Sequence, residues 1–311
     1  MAVRAFMVTV VFALLTMGCG QGPSVNTDEE VPAPSAEQVT PADEQELFAG
    51  NAVDSNPNHR DGEETKPAPL RVLSWNVESE GSDPEIIADQ LKEFADYDII
   101  ALSEVLPSAA DQFQKALGKE FDGIVTRSGY NDRLQILFNA NRFKLVRRLE
   151  LDEINDTRHR SPLVAHLHDN LQDQDILVMN NHLARGNAEY RTTQANQLVQ
   201  WAREQTTPII AVGDYNFDYV FDDDEGNEGF RAMLMGDVFK WVKPSEWIDT
   251  NWYDPEPDGV DNYPGSMLDF AFVAGPATHW QSVCNVIVRP DDFPDDQTTS
   301  DHRPFELIIT P

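Results

Sequence analysis

From Leu70 onward, short apolar runs alternate with segments of helical period. "LRVLSWNV" reads as a strand and "SDPEIIADQLKEFAD" as a helix: Asp83 can cap it, Pro84 suits its first turn, and Ile87, Leu91 and Phe94 recur at i, i+4 and i+7. "YDIIALSEV" returns as a strand, so the pattern opens strand, helix, strand, as an α/β fold does. Further strands are predicted in "RLQILFN", "SPLVAHLH", "DILVMNNHL", "TPIIAVGDYN", "LDFAFVA", "SVCNVIV" and "FELIIT". A second helix, "NAEYRTTQANQLVQWAREQ", places Tyr190, Gln194, Gln197, Leu198 and Trp201 along one side. About nine strands are too many for one small open sheet. Two sheets packed face to face with outer helices is the economical arrangement, and 41% hydrophobic residues in 311 suffice for its core.

The chain before Leu70 follows another pattern. Arg4 leads into the apolar run Ala5 to Leu15, shorter than the roughly 20 residues a membrane span needs, so residues 1–19 read as an export signal. The run ends in Thr16-Met17-Gly18-Cys19. Gly18 before a cysteine resembles the lipobox of bacterial lipoproteins, although Thr16 stands where that motif carries Leu. The resemblance implies a diacylglyceryl group on Cys19 and attachment to an envelope membrane; the alternative is a secretory signal removed together with Cys19. Both place the protein outside the cytoplasm. Residues 20–69 are rich in Pro, Glu, Asp, Ser and Asn with hardly any large aliphatics, so they cannot bury enough apolar area to offset ordering and read as a disordered tether. Residues 70–311 form the folded domain, expected to be a monomer. Its single cysteine, Cys284, excludes an intrachain disulfide there and reads as a small buried apolar side chain.

Charge narrows the partners. The formal net charge is −31; residues 1–69 hold 11 of the 54 acids and 3 of the 23 bases, which leaves the domain near −23. So acidic a surface repels long polyanions, and salt-driven binding of duplex DNA is not expected. Phosphate chemistry here requires a bound metal.

Polar residues collect where the predicted strands end. Asn76 and Glu78 close the first, Glu104 the second, and His182 ends "ILVMNNHL". Asp214 and Asn216 end "PIIAVGDYN", Asp269 opens "LDFAFVA", and Asp301 and His302 precede the last strand. Singly, each has a plain use as turn former, cap or hydrogen-bonded structural residue. As a set they are harder to dismiss. Glu104 and Asp301 supply hard carboxylate oxygens and Asn76 a neutral oxygen, the mixture a hydrated Mg²⁺-type cation prefers. No His/Cys cluster has zinc spacing.

These residues fall in "SWNVES", "ALSEV", "HRSPLVAHL", "NNHLARG", "AVGDYNFD", "MLDFAFV" and "TSDHRPF". In that order they resemble the endonuclease/exonuclease/phosphatase superfamily over nearly all of residues 70–311. The resemblance implies a four-layer α/β/β/α sandwich and hydrolysis of phosphodiesters assisted by Mg²⁺, with Mn²⁺ or Ca²⁺ as alternatives. Glu104 would be the principal metal ligand, helped by Asn76 and Asp301. Asp269 would orient His302, which acts as general base on the attacking water or as its electrostatic partner. Asp214 is the competing base, Asn216 would hold the nucleophile or a phosphate oxygen, and His182 would donate to a nonbridging oxygen.

Substrate choice is less legible. His182 stands where the deoxyribonuclease I and sphingomyelinase branches carry a histidine and apurinic endonucleases a tyrosine, which argues against abasic-site repair. "HRSP" resembles an Arg-x-Pro step that makes Arg160 a candidate phosphate contact, the alternative being a surface arginine. Residues 241–266, "WVKPSEWIDTNWYDPEPDGVDNYPGS", supply Trp247, Trp252 and Tyr253. Such rings stack on single-strand bases, dip into lipid or simply pack in a core; Trp252 is the candidate substrate contact. "FDDDEGNEGF", 221–230, lacks the terminal Glu of an EF-hand and reads as a solvated acidic loop. Three functions remain: an exported nuclease acting on nucleic acid, a phospholipid phosphodiesterase of sphingomyelinase type, and a noncatalytic binding lipoprotein with the same fold.

Overall fold

The computed structural model describes residues 68–311 apart from 157, 257, 291 and 293–297. The expected export signal, Cys19 and nearly all of the expected tether lie outside the described residues. In chain order the elements are β1 (Leu70–Asn76), α1 (Pro84–Leu91), β2 (Ile99–Val105), α2 (Ala110–Leu117), β3 (Phe121–Val125), β4 (Arg133–Asn139), β5 (Phe143–Glu150), β6 (Leu163–Asp169), β7 (Gln174–His182), α3 (Ala188–Arg203), β8 (Ile209–Val220), α4 (Glu228–Met233), β9 (Phe239–Trp241), β10 (Ser266–Ala274), β11 (Gln281–Val286) and β12 (Phe305–Thr310). One sheet runs β11-β12-β1-β2-β4-β3, the other β5-β6-β7-β8-β10-β9.

Alternation along the strands builds the layers. In β1, Val72 joins Ile99, Ile136, Leu163, Val178 and Val212 in a core between the sheets. Its neighbours Leu73 and Trp75 point outward to Ile87, Leu91 and Phe113 of α1 and α2. On the second sheet Met179, Ala211 and Phe270 face Leu198 and Ala202 of α3 and Phe230 of α4. The result is the α/β/β/α sandwich, two mixed sheets with outer helices.

The helices start and turn as their sequences dictate. Asp83 caps α1, its Oδ1 accepting from the Glu85 N–H at 2.8 Å, with Pro84 in the first turn. In α3 the buried side is Arg191, Gln194, Ala195, Leu198, Val199 and Ala202, rotated from the predicted one because Ala195 and Ala202 pack where Gln197 was expected. The acidic stretch 221–230 is only partly a loop: Asn227 caps α4, and Phe230 is buried. Three strands went unpredicted, β3, β5 and β9, and each lies at a sheet edge. β3 and β9 are short, and β5 is charged, half-exposed and broken by a register shift between Leu145 and Arg147, so "FKLVRRLE" carries no regular alternation.

Two polar links span the sheets. Arg142 is buried and bonds Asp169 at 2.7 Å and Asp98 at 2.9 Å, at the end of the strands where β1 and β2 begin. Nearer the other end, Asn180 Nδ2 donates to the carbonyls of Leu102 (2.7 Å) and Gln135 (3.1 Å).

Candidate active site

Two parallel pairs aim the polar residues at one place. β1 runs parallel to β2, so Asn76 and Glu104 leave the same end of the first sheet. β7 runs parallel to β8, which registers His182 beside Asp214, and antiparallel pairing of β8 with β10 registers Asp214 beside Asp269. Register shifts between Leu102 and Val105 and between Met267 and Asp269 re-aim Glu104 and Asp269 out of the regular pleat. Glu104 and Asn216 both take left-handed backbone, φ 54° and 52°, a strain typical of functional positions. Gly213, φ 133°, lets β7 approach: a Cβ there would sit 2.0 Å from the Asn181 carbonyl oxygen.

The segment before β12 is held against β1. Ser300 Oγ donates to the Asn76 carbonyl at 2.6 Å and accepts from the His302 N–H at 3.0 Å. Trp75 Nε1 donates to the His302 carbonyl at 2.9 Å, and the Asp301 N–H donates to Glu78 Oε2 at 2.9 Å.

The side chains then converge. His302 Nδ1 lies 2.8 Å from Asp269 Oδ2, and its Nε2 is 3.9 Å from Asp214 Oδ2 and 3.8 Å from Asp301 Oδ1. From the opposite side His182 Nε2 is 3.4 Å from the same Asp214 oxygen and 3.8 Å from Glu104 Oε1. Asn76 Nδ2 bridges Glu104 at 3.0 Å and Asp214 at 3.2 Å. Asn216 donates from its backbone to Asp214 Oδ1 at 2.9 Å and from its amide to the Leu183 carbonyl at 3.2 Å.

Glu104, His182 and Asp214 offer ligand atoms within 4.8 Å of one another, a grouping able to hold a metal ion. It differs from the expected set of Asn76, Glu104 and Asp301. Asn76 turns its amide nitrogen, not its oxygen, toward the carboxylates, because its Oδ1 accepts from the Glu78 N–H at 3.0 Å. Asp301 stands with His302 rather than in the three-residue group.

Charge in the site is unbalanced. Asp214, Asp269, His182 and His302 are nearly inaccessible. Burial alone would lower the His302 pKa, but the carboxylates of Asp269, Asp301 and Asp214 outweigh it and raise it well above the usual histidine value. Burial, with Asp214 close by, raises Asp269 against the pull of His302.

Arg160 is buried rather than superficial. It donates to the carbonyls of His182 (2.9 Å) and Leu183 (3.3 Å), pairs with Asp132, and with Asp132 and Glu104 lines a cleft of about 340 Å³. Asp132 is a site residue that sequence reasoning missed. Its Oδ1 lies 3.3 Å from His182 Nδ1, and His182 and Arg160 hold its pKa below the carboxylate range despite burial. The only signal was an acid just ahead of the strand "RLQILFN". Trp252 is half-buried, its backbone N–H donating to the Asp301 carbonyl at 2.7 Å. Tyr253 and Tyr263, not Trp252, line the cleft beside it, and Trp247 stacks on Phe221 at 5.0 Å.

The model of the endonuclease/exonuclease/phosphatase family matches residues 73–302. The chain belongs to this family. No curated protein matches the chain. Among solved family structures it is similar to an endonuclease/exonuclease/phosphatase family protein from Bacteroides thetaiotaomicron, with 17% identity over 79% of this chain and 96% of the other, TM-score 0.60. D. rerio TDP2 complexed with single-strand DNA product aligns at 17% identity over 78% and 100%, TM-score 0.61. The mannosyl-6-phosphatase of Bacteroides thetaiotaomicron aligns at 16% over 78% and 100%, TM-score 0.59. At such identity the likeness is one of fold.

Proposed function

We propose that the protein is an exported, Mg²⁺-dependent phosphodiesterase acting on nucleic acid. The observation that carries this reading is the meeting of a buried His302–Asp269 dyad with Glu104, His182 and Asp214 at one end of the sandwich. The site is suited to a divalent cation: Glu104 and Asp214 face each other across one amide, and Asp269, Asp132 and Asp301 add carboxylates against a single guanidinium, Arg160. Hard oxygens dominate the donors, which favours Mg²⁺ over zinc.

Glu104 would be the principal ligand, with Asp214 beside it; Asn76, whose amide nitrogen faces both carboxylates, would position them, and Asp301 would add negative charge from the His302 side. The bound ion would place positive charge on a phosphate oxygen. His182 Nε2, oriented by Asp132 at its other nitrogen, donates to a nonbridging oxygen. Asn216 holds the nucleophile or a phosphate oxygen, and Arg160 contacts phosphate across the cleft it lines. His302 Nε2 would take the proton of the attacking water once a bound cation offsets the carboxylates that raise its pKa, and Asp269 fixes the tautomer that then leaves Nε2 available. Asp214 Oδ2, shared by both imidazoles, is the competing base.

TDP2 with its single-strand DNA product supports nucleic acid as substrate; the mannosyl-6-phosphatase makes a phosphomonoester the necessary control. The test is hydrolysis of single-stranded DNA, RNA, sphingomyelin, bis-p-nitrophenyl phosphate and p-nitrophenyl phosphate with Mg²⁺ or EDTA, by wild type and His302→Ala. Diester cleavage lost in EDTA and in the variant is expected. Activity surviving both would overturn the mechanism, and no hydrolysis of any substrate would leave the noncatalytic binding reading.

A further inference from the structure

Two clefts of opposite character adjoin the site. One continues from Glu104 and Arg160 to Arg127 and Arg133, its two parts of about 340 and 410 Å³ sharing Gly129, Tyr130 and His159. Arg127, Arg133 and Arg158 put three guanidiniums on it; outside the central cluster the acids lining it are Glu80 and Asp152. On a domain near −23, such a strip is where phosphates can lie.

The other cleft, about 480 Å³, is lined by Arg185, Asn251, Tyr253, Tyr263 and Leu268, among others. It adjoins the dyad, since Asn251 bridges to His302 and Leu268 precedes Asp269. The two tyrosine rings lie 5.4 Å apart, and the Arg185 guanidinium is 5.3 Å from the Tyr253 ring. The segment between these tyrosines in sequence is closed where the Asn262 N–H donates to the Tyr253 carbonyl at 2.8 Å. It carries Asp254, Glu256, Asp258 and Asp261 and no Lys or Arg.

We propose that the site works on an end of a single-stranded nucleic acid, with the terminal nucleoside in the tyrosine cleft and the remaining phosphates along the arginine cleft. This rests on the phosphodiesterase reading above. Asp218 lines this cleft, and the segment joining its two tyrosines carries four acids and no base, so the phosphates of a strand running on past the cleft would be repelled. A terminal base carries no charge, stacks on tyrosine and a guanidinium, and the cleft lies in the roughly 300–1,000 Å³ range of small-molecule sites. Water then supplies OH to phosphorus and H to the leaving oxygen as one P–O ester bond breaks, releasing a mononucleotide and a strand shorter by one.

The experiment compares a linear oligodeoxynucleotide with a covalently closed single-stranded circle of the same sequence, with Mg²⁺ and with bis-p-nitrophenyl phosphate in parallel. Mononucleotides should appear first from the linear strand, and the circle should be cut at least ~10-fold more slowly. A circle cut as fast, or mid-length fragments appearing first, overturns this proposal while turnover of the small diester leaves the phosphodiesterase reading standing. No turnover of either substrate overturns both. Wild type should favour a strand ending in a base over one ending in an abasic residue by roughly 10-fold, and Tyr253→Ala should erase that preference; a preference retained in the variant counts against the tyrosine cleft. Replacing Arg127, Arg133 and Arg158 together by Ser should flatten the log–log salt dependence of kcat/KM by about 2, and an unchanged slope counts against the arginine cleft.

Discussion

His302 and Asp269, 33 positions apart in the chain, share a 2.8 Å contact that is almost sealed from solvent. A carboxylate so placed decides which ring nitrogen carries the proton. Asp269→Asn keeps the volume but can present an N–H to Nδ1 and so favour the wrong tautomer. Its kcat on bis-p-nitrophenyl phosphate should fall on the order of 10²–10⁴-fold with the circular dichroism spectrum unchanged; activity within a few-fold of wild type would remove His302 from the base role.

Crowded carboxylates should make the protein firmer when a cation binds. Adding Mg²⁺ at 100 times its Kd is expected to stabilise the fold by about 2.7 kcal/mol, read as a rise in Tm that EDTA reverses. Glu104→Gln should lose most of that rise while its metal-free Tm stays at or above the wild-type value.

Acid sensitivity has a source remote from the dyad. The Glu150 side chain is nearly buried and accepts from Ser128 Oγ at 2.6 Å, the Ser128 N–H at 2.8 Å, the Arg127 N–H at 3.0 Å and Arg148 at 2.5 Å. Burial would raise its pKa, but these donors lower it. A lowered folded pKa contributes stability present above the unfolded value of about 4.3 and lost as pH falls through the folded one. Glu150→Gln should therefore cost about 1–3 kcal/mol at pH 7, and urea titrations of the two proteins should converge below pH 4.

Gly213 tests how closely the central strands must approach. A methyl group there meets the Asn181 carbonyl oxygen at 2.0 Å on a backbone with φ 133°, and neither can give without moving β7 away from β8. Gly213→Ala should lower stability by about 3 kcal/mol and kcat as well, because His182 and Asp214 are registered across the same pair.

Export and lipid attachment are tested in cells. Labelled palmitate should enter the wild-type protein and fractionate with membranes; Cys19→Ala should abolish both, and unlabelled protein in the medium would instead favour the secretory signal.

Much of the site was legible because its members end apolar runs, where a strand must stop and a polar side chain becomes conspicuous. Asn76, Glu104, His182, Asp214 and Asp269 were visible for that reason. Asp132 was not, since it lies in the turn between the edge strand β3 and β4 and looks like any turn acid. Arg185 and Tyr263 were hidden for a different cause. Their meeting depends on how long connections fold back over the sheet ends, and no local period encodes that. The layers followed from strand count and helix period, whereas three of the four edge strands, β3, β5 and β9, left no pattern to read; the fourth, β11, was legible from its apolar residues.

The pairing of β1 with β12 has a consequence for timing. The first of the described strands supplies Asn76, and His302 arrives with the segment leading into the last. A chain folded only as far as β10 therefore has Asn76, Glu104, His182 and Asp214 in place but lacks His302, and with it the dyad. Joining the two halves of the site therefore depends on closing the long loop between β1 and β12, so the site assembles together with the whole fold and not ahead of it.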